Sequence, residues 1–114
     1  MSEQFKITDE IITSDAAIEI AKALAVRFRN EVDSNATIYL FGSTTKNLAR
    51  PWSDIDVAIV SDKFIGFNNS ADTPFYALLT YQICNALEIH TYNYRQWDNN
   101  IGMVAEIKQT GVEI

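Results

Sequence analysis

The chain has 114 residues, nine basic and fifteen acidic side chains, and a net charge of −6. That length fits a single domain over residues 1–114 with a core of its own, and 47% hydrophobic content excludes wholesale disorder and low-complexity sequence. The acidity repels phosphate backbones at long range, so nucleic acid is not an expected partner.

The first predicted helix opens at Ser14, a good N-cap residue, and runs to Asn30 or Val32. Ile18, Ala21, Leu24, Ala25, Phe28 and Val32 form its apolar stripe. Asp33, Ser34 and Asn35 read as a turn. Thr37 to Phe41 is β-branched and aromatic and reads as a strand that Gly42 ends. Asp54 to Val60 is the second strand, with Asp54, Asp56 and Ala58 on one face and Ile55, Val57 and Ile59 on the other.

Residues 61–72 hold Gly66, Asn68, Asn69, Ser70 and Asp72 and read as a loop. Thr73 and Pro74 resemble an N-cap and first helical position, starting a helix to about Ala86. Phe75, Leu78, Leu79, Ile83 and Leu87 give it a buried face. A third strand covers Leu87 to Asn93, and a last helix spans Asp98 to Gln109, stopped by Gly111. Helix, strand, strand, helix, strand, helix predicts a small α/β structure, a mixed sheet covered by helices. The lone cysteine, Cys84, excludes an intramolecular disulfide and reads as core. No apolar run reaches the ~20 residues of a membrane span, and Met1 to Gln4 lack a basic region leading into an apolar one. A cytoplasmic protein without a membrane partner is therefore expected.

The chemistry concentrates in Leu40-Phe41-Gly42-Ser43, ten intervening residues, and Asp54-Ile55-Asp56. Residues i and i+2 of a strand share a face, with Cα atoms ~6.5–7 Å apart. Two carboxylates held that close repel each other unless a cation lies between them, and magnesium prefers such oxygen ligands. The other reading places both on the solvent face of an edge strand. Gly42 lets the backbone approach a ligand closely, and Ser43 could begin a turn whose N–H groups suit a phosphate; an ordinary strand end is the alternative. Glu88, in Leu87-Glu88-Ile89, completes a carboxylate triad if its strand pairs beside the second, and otherwise is a surface glutamate.

Together, Leu40-Phe41-Gly42-Ser43 and Ser53-Asp54-Ile55-Asp56-Val57-Ala58-Ile59-Val60 resemble the DNA polymerase β-like nucleotidyltransferase superfamily, in particular its minimal, antitoxin-type members. Ala49-Arg50-Pro51 is also typical, and Leu87-Glu88-Ile89 follows as a third acidic motif. The resemblance implies that Asp54, Asp56 and Glu88 are catalytic and hold two Mg²⁺ ions. It implies that Gly42 and Ser43 bind the nucleotide's phosphates. The implied reaction moves a nucleoside monophosphate, AMP from ATP foremost, to a hydroxyl and releases pyrophosphate. The sequence departs from the pattern at Asn47, where many members have glycine, and at Glu88, where aspartate is common.

Other residues keep two readings. Lys46 and Arg50 are phosphate contacts or solvated turn residues. His90, the only histidine, faces the same side as Glu88 and is either a general base or a half-exposed histidine. Trp52 stacks on a base or covers a sheet edge. Tyr92, Tyr94 and Trp97 mark an interface or a satellite core. The resemblance also implies an alternative function, an antitoxin that binds or AMPylates a small helical companion of the HEPN type. A second copy of the chain is the other candidate partner. A third reading is a fold that binds nucleotide without turnover.

Overall fold

The computed structural model describes residues 14–42 and 54–114. Helix α1 spans Ser14–Glu31, and a turn leads to strand β1, Thr37–Phe41. Strand β2 is Ile55–Val60. A 3₁₀ helix, Ser70–Phe75, and helix α2, Ala77–Ile83, lead to strand β3, Leu87–Tyr92. Helices α3, Tyr94–Asp98, and α4, Val104–Thr110, precede a two-residue strand β4, Val112–Glu113.

Among the described residues the strands form one mixed sheet in the order β3-β2-β1-β4. β1 runs antiparallel to β2 and β4, while β2 and β3 are parallel. The α/β class expected of the sequence is therefore observed. Each face of the sheet carries its own core. On one, Ala17, Ala21, Leu24 and Phe28 of α1 and Leu79 and Ile83 of α2 meet Ile38, Leu40, Ile55, Val57 and Ile59. On the other, Trp97, Val104 and Ile107 cover Phe41, Ala58, Val60 and Tyr92. β2 is thus buried on both faces beyond Asp56, and a strand so placed reads as a nearly continuous apolar run.

α1 and the strand cores lie where periodicity puts them, but two helices differ. In place of one helix from Thr73 to Ala86 there is a 3₁₀ turn and then a short α-helix. Asn69, not Thr73, caps the turn, accepting from the Ala71 N–H at 2.9 Å. The reason lies one residue before Thr73. Buried Asp72 accepts from the Ile65 and Gly66 N–H groups at 2.8 Å each and from the Thr91 hydroxyl at 2.9 Å. Those bonds fix Asp72 against the preceding loop and β3, and an α-helix starts only after them. The expected apolar face shifts accordingly. Leu79 and Ile83 are buried, but Phe75 is 37% and Leu78 63% exposed.

The helix expected to start at Asp98 starts only at Val104, and Asp98 instead ends α3, a short helix the sequence did not predict. Asn100 and Gly102 adopt positive φ, at 52° and 65°, and separate the two. Gly111 does end α4, as the sequence suggested, but with φ −80° and an extended backbone. Glycine serves there because a Cβ would lie 2.6 Å from the Ile107 carbonyl oxygen. No described helix is long and apolar enough to cross a membrane.

The three aromatics at and beyond the end of β3 separate. Tyr92 and Trp97 are buried in the second core, which decides between interface and satellite core for those two. Tyr94 donates its hydroxyl to the Asn35 carbonyl at 2.6 Å and lies 2.8 Å from the Thr37 hydroxyl, pinning α3 to the start of β1. Cys84 is fully buried, and burial pushes its thiol pKa up, so it belongs to the core.

Candidate active site

Three separate segments meet at one end of the sheet. β1 ends at Phe41, which lies opposite Asp56 of antiparallel β2. On the other side of β2, parallel pairing sets Glu88 directly against Asp56 and His90 against Ala58. The condition attached to Glu88, that its strand lie beside β2, is met. Alternation along β3 returns His90 to the face of Glu88.

The result is a tight polar cluster. His90 Nε2 lies 3.0 Å from Asp56 Oδ1. One ligand atom each from Asp56, Glu88 and His90 fall within 4.8 Å of one another. Asp54, exposed just before β2, is not in this set, although its charge reaches Glu88. The Glu88 carboxyl is held above the ordinary carboxylate range, first by its hydrogen bond with Asp56, then by partial burial and repulsion from Asp56, with His90 opposing.

Gly42 borders the cluster with φ +85°. A Cβ there would overlap Asp56 Oδ2 and lie 3.2 Å from its Cγ. Glycine is therefore required twice, by conformation and by the nearness of the carboxylate. The far wall is α4. Met103, Glu106 and Thr110 face Gly42, Asp56 and His90 across a pocket of about 180 Å³. Ser43, Lys46, Asn47, Arg50 and Trp52 lie outside the described residues.

The model of the nucleotidyltransferase domain family matches residues 19–102. The chain belongs to that family. The match takes in Gly42, Asp54, Asp56, Glu88 and His90, and so unites the three segments that the fold brings together. No curated protein and no solved structure matches the chain. The general activity of a nucleotidyltransferase is transfer of a nucleoside monophosphate, and the fold and sheet of this chain accord with that core.

Nucleotidyltransferases generally use a divalent metal, and the residues of this one fit such an ion. Two carboxylates and an imidazole offer converging donors. Asp56 and Glu88 are paired closely enough to raise the proton affinity of Glu88, and a cation between them would relieve that repulsion. Two features of the site are not evident from sequence pattern alone. His90 was weighed as a base rather than as a partner of Asp56, though its i+2 spacing from Glu88 was available. Met103, Glu106 and Ile107 fall inside the expected Asp98–Gln109 helix without being assigned to the site; with Thr110 they carry i, i+3, i+4, i+7 spacing, the signal that marks one face.

Proposed function

We propose that this nucleotidyltransferase transfers AMP from ATP to a hydroxyl acceptor, in a reaction that depends on divalent cations. The acceptor hydroxyl gives up its proton to solvent, its oxygen forms a bond to the α-phosphorus, the bond from that phosphorus to the bridging oxygen of the β-phosphate breaks, and pyrophosphate leaves. Asp54, Asp56 and Glu88 are the residues to hold the cations, which when bound neutralise the triphosphate and lower the acceptor's pKa. Gly42, bare of a side chain, lets a phosphate come close to the chain, and Ser43 adds a hydroxyl donor. The register that pairs Asp56 with Glu88 across parallel strands carries this reading.

Titration calorimetry of a non-hydrolysable ATP analogue, with and without Mg²⁺, tests it. Binding that requires the metal and disappears in Asp56→Ala is the expected result. Binding that persists in the variant, or that needs no metal, overturns the proposal.

A second reading is favoured by the outer surface of α2, where Leu78 and Tyr81 are 63% and 75% exposed. Large apolar side chains in that position suit a companion protein, and a small helical partner of the HEPN type is the one to seek. Purification from the native cell without a stoichiometric companion would count against it.

A further inference from the structure

His90 is held rigidly beside Asp56. Its ring packs edge-on to Phe41, with centroids 4.9 Å apart and planes at 66°. Its side chain is 17% exposed and that of Asp56 23%. The backbone of β3 and the Phe41 ring therefore fix the imidazole before any ligand arrives, as a selective site requires. Nε2 is the nitrogen that faces Asp56 Oδ1, at 3.0 Å. Ligand atoms ~2.0–2.2 Å from one ion lie roughly 3–3.5 Å from one another. The donors of Asp56, Glu88 and His90, all within 4.8 Å, need only a small closing movement to reach that arrangement.

A nitrogen donor changes which ion the site prefers. Mg²⁺ takes hard oxygen ligands and gives up its waters reluctantly. Imidazole suits first-row transition ions such as Fe²⁺ and Zn²⁺, whose affinity for mixed nitrogen and oxygen sites is higher. We infer that His90 Nε2 is a metal ligand beside Asp56 and Glu88, and that this subsite selects a transition ion of the Fe²⁺ to Zn²⁺ range over Mg²⁺. The inference rests on the metal-dependent reading of the site above and assigns one of its ions. A hard ion arriving with the triphosphate remains compatible with it.

One imidazole in the chain makes the test direct, because its nitrogen resonances need no assignment by mutation. The full chain, labelled with ¹⁵N and free of nucleotide, is titrated with ZnCl₂ and separately with MgCl₂. One equivalent of Zn²⁺ should move the Nε2 resonance to the position of a metal-bound nitrogen, whereas millimolar Mg²⁺ leaves it in place. Zn²⁺ affinity should exceed Mg²⁺ affinity and fall by about tenfold or more in His90→Gln and in Glu88→Gln. Zn²⁺ binding that leaves the imidazole nitrogens unmoved, equal affinity for Mg²⁺, or no Zn²⁺ binding overturns the inference. Failure of the transferase reading is distinguishable. If Zn²⁺ leaves the imidazole unmoved while Mg²⁺-dependent binding of the ATP analogue persists and is lost in Asp56→Ala, only the ligand assignment falls. If the analogue never binds while Zn²⁺ moves the imidazole, only the transferase reading falls.

Discussion

Replacing Gly42 with alanine tests how closely the end of β1 is fitted to Asp56. Two costs are separable. At φ +85° an L-residue meets its own carbonyl oxygen, which costs about 1–2 kcal/mol. The new Cβ also overlaps Asp56 Oδ2, so the carboxylate must turn away and give up His90 Nε2 at 3.0 Å. A hydrogen bond to a charged group is worth about 1.5–3 kcal/mol. Together they predict a loss of about 2.5–5 kcal/mol, or a fall in Tm of about 10 °C or more for a chain of this size. Urea denaturation of four proteins isolates the contact: wild type, Gly42→Ala, Asp56→Ala and the double variant. With the Asp56 side chain gone, Gly42→Ala should cost only its backbone part, about 1–2 kcal/mol. The cycle should thus give a coupling of about 1.5–3 kcal/mol between the positions. Additive substitutions would refute the packing argument, and a Gly42→Ala protein that melts with wild type would refute both parts.

Asp72→Ala should lower stability by about 3 kcal/mol or more, because it leaves the Ile65 and Gly66 N–H groups and the Thr91 hydroxyl without their acceptor; a urea midpoint near that of wild type would contradict it. Tyr94→Phe should cost about 1 kcal/mol through the lost bond to the Asn35 carbonyl, read from the same denaturation curves, and an unchanged midpoint would show that bond to be idle. The raised Glu88 carboxyl makes a pH prediction: the fold binds that proton more tightly than the unfolded chain does, so the stability it adds is present at low pH and is lost as pH rises from the ordinary carboxylate range through the raised value. In metal-free buffer the stability of wild type relative to Glu88→Gln should therefore decline with rising pH across that window, and a flat difference would sink the assignment. Metal affinity should run the other way, weakening as pH falls and Glu88 takes up its proton.

What was legible in the sequence is what local pattern controls. Thr37–Phe41 has the bounds its β-branched and aromatic run implies, and α1 follows the stripe through Leu24 and Phe28. The Gly42 turn and the acidic pair at the start of β2 were visible as types and spacing. Tertiary contacts decided the rest. Thr73-Pro74 is a sound local helix start, but Asp72 is bonded to the preceding loop and to β3, and the chain follows Asp72. The turn between α3 and α4 has a local sign in Asn99-Asn100 and Gly102, types that favour the positive φ found at Asn100 and Gly102. β4, two residues long, has no period to detect; its place depends on Leu40 and Tyr39 opposite. Arg29 adds a hold from α1, donating to the Ile114 carbonyl at 2.9 Å.

Strand direction, more than any single residue, decides whether the site exists. Asp56 and Glu88 are each the second residue of their strands, and parallel pairing sets equal positions side by side. Had β3 run antiparallel over the same length, Glu88 would oppose Ile59, roughly 10 Å along β2 from Asp56, and no cluster would form. The antiparallel pairing of β1 with β2 does the complementary work, placing Gly42 at the end where β2 starts. A parallel pair needs a crossover of about a dozen residues or more, and residues 61–86, with the 3₁₀ turn and α2, supply it. Asp72, bonded to both the loop and Thr91 of β3, ties that crossover to the strand it delivers. A buried aspartate far from the cluster in sequence thereby supports the register on which Glu88 and His90 depend, which links the stability of the crossover to the chemistry at the other end of the sheet.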